Sequence, residues 1–329
     1  MMRREAGKEK FNSRFLFLHE RDVRMEKNNF SLTALGTAFM RGYHARHDDL
    51  MIFHDPLAYG LLTEKERFLI AKHWISRLES VDAEGAASCP DEASALRLAL
   101  QLCTGASVVL SRARYAEEAL RNAIGLGIRQ YVILGAGMDT FAFRCPQALK
   151  KVEVFEVDHP ATQAFKRKRI AELGWNIPAG LHFVSLDFTE SSLSEIQALS
   201  PYDPTALTFF SWLGVTYFLP RDAVLDTLAA VAGISPAGSM VVFDYLESNP
   251  AGNGKAAGRL KAIADSLEEL GEPLKTGFDP AALGADLDRA GLRLLEDLAR
   301  SDVQRRYFDG RTDGYRASEH IHFALAAVK

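Results

Sequence analysis

Short apolar runs and helical segments alternate along the chain from residue 130 onward. Five such runs are Gln130–Leu134, Val152–Val157, Leu181–Leu186, Leu207–Trp212 and Ser239–Phe243. Segments with helical periodicity lie between them, such as Ala161–Leu173 and Arg221–Gly233. Buried strands that alternate with helices are typical of a parallel sheet with helices on both of its faces. The pattern therefore predicts an α/β fold, which a helix at Pro280–Ala290 and strands at Leu292–Leu298 and Ile321–Val328 complete.

The chain before residue 107 has a different pattern, which is helical and contains no convincing strand. An amphipathic helix is predicted at Thr63–Ser80, a helix capped by Asp91 runs to about Leu102, and another is predicted at about Val108–Ile124. Residues 31–62 are predicted to be helical in pieces, with a break at Asp55-Pro56, and residues 81–90 to be a loop. We therefore divide the chain into an N-terminal extension (1–30), a helical cap (31–106) and an α/β domain (107–329).

Composition and charge narrow the class of protein only slightly. The 329 residues are 47% hydrophobic and 25% charged, which is typical of a globular protein and excludes disorder and fibrous repeats. The net charge of −4 makes nucleic acid an unexpected partner, and no apolar run approaches the ~18 residues of a membrane span. Three widely spaced cysteines predict neither a disulfide framework nor a zinc site. We therefore expect a cytoplasmic protein without a metal, and the pattern indicates no oligomeric state.

The most informative local motif is a glycine loop directly after the first predicted strand. Tyr131–Leu134 runs into Gly135-Ala136-Gly137, and glycines there permit a tight turn and let a ligand approach the backbone closely. Asp158 follows the second strand, 21 residues past the last of these glycines. A carboxylate at the tip of that strand can accept hydrogen bonds from both hydroxyls of a ribose. The motif therefore predicts an adenosine-containing ligand at the carboxyl ends of the strands.

Two classes of adenosine ligand compete for this loop. A dinucleotide fingerprint requires a third glycine three residues after the second, and the chain has Thr140 there. S-adenosylmethionine has no pyrophosphate and does not need that glycine. Asp187, at the tip of the third strand, could receive the adenine amino group or could be an ordinary turn or helix-cap residue. S-adenosylmethionine is therefore favoured, and an NAD(P)-dependent oxidoreductase on a similar sheet is the alternative.

Longer stretches of sequence resemble a known family. Gln130–Arg144 reads QYVILGAGMDTFAFR and Val154–Pro160 reads VFEVDHP, which resembles the leucine carboxyl methyltransferase family of S-adenosylmethionine-dependent enzymes. Four further stretches agree with that family: Ser31–Ala34, Asp55–Ala58, Arg112–Tyr115 and Phe210–Leu219. The resemblance extends over residues 31–329 and leaves residues 1–30 outside it. It implies a Rossmann-like class I methyltransferase sheet in the α/β domain, with a helical N-terminal cap that shapes the substrate region.

The resemblance also implies a reaction and a set of site residues. The family's bacterial members include O-methyltransferases of small molecules, which implies methyl transfer to a carboxylate or a hydroxyl of a small-molecule acceptor. The glycine loop would lie under the methionine part of the cofactor, Asp158 would hold the ribose, and Asp187 and Phe188 would flank the adenine. Arg112 would pair with the cofactor's carboxylate through its planar fork, with Arg114 as the second choice. The cofactor-binding residues so implied are Arg112, Gly135, Ala136, Gly137, Asp158, Asp187 and Phe188.

The sequence leaves the roles of several residues open. Some family members carry a glutamate where this chain has Leu213, so any contact by that glutamate is in doubt and a non-catalytic cofactor-binding homologue remains a further alternative. Trp212 and Tyr217 could line the site or be core aromatics. No catalytic residue is predicted, because the three histidines that could serve a hydroxyl acceptor as a base are better explained as surface or capping residues: His44, His47 and His54.

Two further segments complete the expectations from the sequence. The basic run Lys166–Arg169 is predicted to be a solvated helix face. The acceptor pocket is expected to form from the cap and from segments after the fourth and fifth strands, such as Leu246–Lys255. Neither the cap nor these segments carry residues that identify the acceptor.

Overall fold

The computed structural model describes residues 31–188, 191–248, 264–265, 267–268 and 271–329. The N-terminal extension at residues 1–30 and residues 249–255 of the predicted acceptor segment therefore lie outside the described residues. The division of the chain into extension, cap and α/β domain stays a prediction.

The centre of the described chain is a seven-stranded sheet in the order β3-β2-β1-β4-β5-β7-β6. Its strands are β1 (Gln130–Leu134), β2 (Glu153–Asp158), β3 (Leu181–Ser185), β4 (Thr208–Trp212), β5 (Met240–Leu246), β6 (Leu292–Leu298) and β7 (Ile321–Val328). The first five are parallel, whereas β7 runs antiparallel to β5 and β6. The carboxyl ends of β1 to β5 therefore meet at one edge of the sheet, where the polar residues after each strand converge.

Helices cover both faces of the sheet, as the sequence predicts. The α-helices with described bounds before the last two strands include α1 (Leu32–His47), α2 (Glu64–Val81), α3 (Ala83–Ser88), α4 (Glu92–Leu102), α5 (Thr104–Gly125), α6 (Phe141–Arg144), α7 (Pro160–Glu172), α8 (Ile196–Leu199), α9 (Arg221–Ile234) and Pro280–Arg289. Side chains of α1 and α5 share one hydrophobic cluster with Tyr131 and Ile133 of β1. Side chains of α9 and of the helix Pro280–Arg289 pack on the opposite face with Val132 and Leu134. The alternation of β1 between two buried faces confirms the α/β architecture.

The strand predictions are confirmed closely, and the helix predictions need small corrections. The prediction of a loop at residues 81–90 is wrong in part, because Asp82 accepts the N–H of Gly85 at 2.9 Å and caps the short helix α3 there. Helix α5 begins at Thr104, four residues before the predicted start at Val108. Asp91 caps α4 as predicted, since its side chain accepts the N–H of Ser94 at 2.8 Å.

The basic run on α7 is the clearest error in the sequence-based expectations. Lys166 is only 1% exposed, because its ammonium group pairs with Glu156 in the middle of β2. Arg169 is also largely buried and donates a hydrogen bond of 2.8 Å to Glu66 of α2. The interpretation of residues 166–169 as a solvated face is therefore wrong for Lys166 and Arg169, which pair with β2 and with the cap, whereas Lys168 is 77% exposed as predicted.

No single helix in the described ranges is long and apolar enough to cross a membrane. Helices α4 and α5 pass that test only as a pair, and their axes bend by 67° between the two.

Candidate functional site

The glycine loop after β1 has the geometry that its sequence predicts. Gly135 and Gly137 have φ values of 68° and 49°, a region that side-chain-bearing residues rarely adopt. The N–H groups of Gly135 and Ala136 donate to the carbonyl of Val157 at 2.8 and 3.2 Å. A Cβ atom on Gly135 would lie 2.4 Å from Cγ2 of Val215, so the turn after β4 packs directly against this loop. The loop therefore needs glycine both for its backbone conformation and for space.

Asp158 at the tip of β2 closes the same loop from the other side. Its Oδ2 accepts a short hydrogen bond from the N–H of Gly137, and its Oδ1 accepts the N–H of His159 at 2.7 Å. Burial raises the pKa of Asp158 above its ordinary value, although these two N–H groups partly offset the rise. The structure thus brings together the glycine loop and the acid that the sequence pairs with it.

Asp187 and Phe188 follow β3 at the same edge of the sheet. Oδ2 of Asp187 lies 3.5 Å from Nε2 of His159, the residue next to Asp158. The ring of Phe188 lies 6.2 Å from that of Trp212 at the end of β4. Among the described residues, the fully buried indole N–H of Trp212 has no hydrogen-bond partner. The alternative interpretation of Asp187 as a helix cap depends on residues 189–190, which lie outside the described residues.

Arg112 points into a cluster that the sequence did not reveal. Its Nη1 donates to the hydroxyl of Tyr217 at 2.7 Å and to Oδ2 of Asp244 at 2.8 Å. Oδ1 of Asp244 accepts the N–H of Gly214 at 2.6 Å. Asp244 is fully buried in β5, and a charged residue within the apolar run of that strand was the signal that could have identified it.

Arg114, the second choice for the same role, lies in a different environment. Its Nε donates to Glu118 one turn further along α5 at 2.8 Å, and its guanidinium covers the ring of Tyr307. The Arg114 side chain is 39% exposed, whereas the Arg112 side chain is only 10% exposed. Because the two arginines are two positions apart on a helix, their side chains lie on opposite sides of α5.

Thr140, which replaces the third glycine of a dinucleotide fingerprint, ties the loop to the cap. Its hydroxyl donates to Oδ1 of Asp55 at 2.6 Å, and Oδ2 of Asp55 accepts from Nε of Arg41 at 2.9 Å. Burial raises the pKa of Asp55, but the guanidiniums of Arg41 and Arg144 outweigh this effect and hold it below its ordinary value. The side chain at position 140 therefore serves the junction between loop and cap.

The three histidines of the cap differ in burial and in their contacts. His44 is fully buried, with Nδ1 2.7 Å from Asp48 and Nε2 accepting the N–H of Ile52 at 2.8 Å. Burial lowers the pKa of His47, which packs against Tyr43. His54 is exposed. Both ring nitrogens of His44 are thus used to hold the end of α1.

The strand order, the antiparallel β7 and the glycine loop paired with an acid at the carboxyl ends define a class I methyltransferase. Residues 34–232 match the family model described as leucine carboxyl methyltransferase. The chain belongs to this family, as the resemblance in its sequence implies. It is accordingly a methyltransferase that depends on S-adenosylmethionine, and the alternative of an NAD(P)-dependent oxidoreductase is wrong.

Relatives extend the similarity beyond the family model. YktD of Bacillus subtilis, assigned as an S-adenosyl-L-methionine-dependent methyltransferase, is 36% identical over 93% of this chain and 100% of its own length. A protein of Mycobacterium sp. strain JLS with the same assignment is 27% identical over 60% of this chain and 70% of its own. The crystal structure of a DUF574 family protein from Streptomyces avermitilis aligns with this chain at a TM-score of 0.56 and 15% identity. The alignment covers 92% of this chain and 99% of the Streptomyces chain. This last likeness shows that the fold is shared.

Proposed function

We propose that this methyltransferase transfers a methyl group to an oxygen atom, either a carboxylate or a hydroxyl, of a small molecule. The name of its family, which refers to a leucine carboxyl group, supports an oxygen acceptor. A carboxylate is ionised at neutral pH and needs no base. This fits the cap, where both ring nitrogens of the buried His44 are already engaged. The cap at residues 31–106 would shape the acceptor site, and the domain at 107–329 would bind the cofactor.

We further propose which residues hold the cofactor. The contact between the Gly137 N–H and the Asp158 carboxylate carries this assignment, because it places a left-handed glycine turn beside an acid at the carboxyl ends of β1 and β2. The proposed set is Arg112, Gly135, Ala136, Gly137, Asp158, Asp187 and Phe188. S-adenosylmethionine supplies a methyl group already activated on a sulfonium. The protein has to orient the acceptor oxygen and exclude water. Holding two reactants in the right geometry can correspond to an effective molarity of ~10⁵–10⁸ M.

Calorimetry with S-adenosylhomocysteine tests this assignment. Asp158→Ala should weaken binding by at least about ten-fold, because a charged acceptor for the ribose hydroxyls is lost. Glu153→Ala is the matched control, since Glu153 lies on the same strand with its side chain 55% exposed. An absence of heat at tens of micromolar wild-type protein would refute the proposed cofactor site. Equal affinities of wild type and Asp158→Ala would remove Asp158 from it.

The acceptor class can be decided by the chemical stability of the product. Incubation of the protein with cell-extract metabolites and S-adenosylmethionine labelled in its methyl group should yield a labelled small molecule. Mild base releases labelled methanol from a methyl ester but leaves a methyl ether intact, which distinguishes a carboxylate from a hydroxyl acceptor. A labelled ester or ether would support the proposal, whereas label on nitrogen or carbon would refute the proposal of an oxygen acceptor.

A cytoplasmic location also remains a proposal. It rests on the three cysteines, which are free and half-buried, since a reducing compartment keeps such thiols from pairing.

A further inference from the structure

We propose that Asp244 is a positioning residue for the cofactor's carboxylate, acting through Arg112 with the help of Tyr217 and Gly214. This inference rests on the proposed function, in which Arg112 binds that carboxylate. It concerns residues from two segments, the turn after β4 and the end of β5, that neither the family resemblance nor the glycine motif assigns to the cofactor.

Arg112 and Asp244 satisfy each other's buried charge. Arg112 is 8% exposed and Asp244 is fully buried, so each would be costly without its partner. Both carboxylate oxygens of Asp244 are engaged, one by Nη1 of Arg112 at 2.8 Å and the other by the N–H of Gly214 at 2.6 Å. The side chain of Asp244 therefore fixes Arg112 relative to the backbone of the turn after β4.

Tyr217 and Asp244 contact the same end of the Arg112 guanidinium. Within the described residues, both hydrogen bonds donated by Arg112 leave from Nη1, one to Tyr217 and one to Asp244. A carboxylate binds arginine best through two parallel N–H groups. The edge formed by Nε and Nη2 is therefore left for such a bidentate contact, because Asp244 and Tyr217 occupy the other end of the fork.

The turn after β4 approaches the Arg112 guanidinium closely. Gly214 has a φ of 76°, and a Cβ atom on it would lie 2.3 Å from Nη2 and 2.8 Å from Cζ of Arg112. The guanidinium thus lies directly against the glycine backbone and has no freedom to move toward it. Asp244, Tyr217 and Gly214 together limit Arg112 to one position, which is the condition for orienting a ligand rather than only attracting it.

Two ligands that differ by the amino-acid part separate this role from a general structural one. S-adenosylhomocysteine carries the carboxylate, whereas 5′-methylthioadenosine lacks the entire amino-acid group. We expect Asp244→Asn to weaken binding of S-adenosylhomocysteine by about ten-fold or more while the affinity for 5′-methylthioadenosine stays unchanged. The reason is that Gly214 and Arg112 donate to different oxygens of Asp244, and the asparagine amide replaces one of these oxygens with an NH2 group that cannot accept.

A double-mutant cycle tests whether Asp244 acts through Arg112. Arg112→Ala should show the same ligand dependence, and adding Asp244→Asn to it should cause no further loss of S-adenosylhomocysteine affinity. Equal losses for both ligands, additive losses in the double variant, or unchanged affinity in Asp244→Asn would each overturn the inference. A wild-type protein that binds neither ligand would instead refute the proposed function on which the inference depends.

Tyr217→Phe keeps the inference testable if the Asp244 variant fails to fold. Loss of the hydroxyl that accepts a hydrogen bond from the guanidinium should lower the affinity for S-adenosylhomocysteine by about two- to ten-fold and leave the affinity for 5′-methylthioadenosine unchanged. Tyr202→Phe is the matched control, because its hydroxyl donates to the carbonyl of Ile234 at 3.2 Å and its ring packs in the hydrophobic cluster on the other face of the sheet from α5. Identical affinities for Tyr217→Phe and wild type would contradict the role of the Tyr217 hydroxyl.

Discussion

The two halves of the candidate site are built in different ways. In the half at β1 and β2, a contiguous segment makes the turn, and the donors to Asp158 within the described residues are the backbone N–H groups of Gly137 and His159. In the half at β4 and β5, three distant segments meet, and Asp244 accepts from a guanidinium as well as from a backbone N–H. The first half can therefore be recognised from one motif, whereas the second exists only after the chain has folded.

The halves also differ in how they support their buried charges. Asp244 has partners for both of its oxygens. Beneath the other half, Glu156 pairs with Lys166 through one oxygen, and its Oε1 has no partner among the described residues. A buried ion pair costs more free energy when one of its polar atoms has no hydrogen-bond partner. The stability of the β2 half therefore depends more strongly on its cation, Lys166. The two halves are also in contact, because Val215 of one packs on Gly135 of the other.

The largest effect is expected from removing that cation. Lys166→Met should lower the free energy of unfolding by about 3–5 kcal/mol at pH 8, because it leaves the Glu156 carboxylate buried without a partner. Urea denaturation measures this, and Lys168→Met is the control, since that side chain on the same helix is 77% exposed. Replacing Glu156 by Leu in the Lys166→Met background should recover most of the loss. A cost no larger than that of Lys168→Met would contradict the dependence on Lys166.

The contact between the two halves should give the next largest effect. Gly135→Ala should destabilise the protein by ~1–2 kcal/mol through the left-handed backbone and by a further ~1–3 kcal/mol through the clash with Val215. Val215→Ala in the same chain should remove only the second contribution, because it makes space without changing φ. Thermal unfolding of the three variants separates the two. Full recovery in the double variant would show that the backbone conformation at Gly135 carries no cost.

The smallest effect is a pH dependence that belongs to the β2 half. Burial raises the pKa of Glu156 to about 7, so between its ordinary value near 4.5 and 7 the folded protein binds more protons than the unfolded chain. The free energy of unfolding contributed by this group therefore falls as pH rises through that window, by roughly 1–3 kcal/mol. Urea denaturation at pH 5 and pH 7.5 should show this fall in wild type and in Glu153→Gln but not in Glu156→Gln. Parallel pH profiles in all three proteins would contradict it.

Local patterns allowed most of the fold and one half of the site to be predicted from the sequence. Buried strands have short apolar runs, and the turn at Gly135 requires glycine, so both leave a signal in neighbouring residues. The pairing of Arg112 with Asp244 has no such signal, because the two residues are 132 positions apart and only the sheet brings them together. The burial of Lys166 was missed for the same reason. The basic run does not show which of its side chains are buried, because that depends on the distant segments that pack against α7.

The place of β7 in the sheet has a consequence for synthesis of the chain. Residues 321–328 lie between β5 and β6, and within the described residues β6 pairs with no other strand of the sheet. During translation, β6 therefore has no partner, and β5 keeps one open edge, until these residues have left the ribosome. An exposed strand edge is a template for pairing with another chain. The nascent protein thus passes through a stage in which the strands β1 to β5 can pair with one another. At that stage the edges of β5 and β6 are still open to aggregation, because β7 has not yet paired with them.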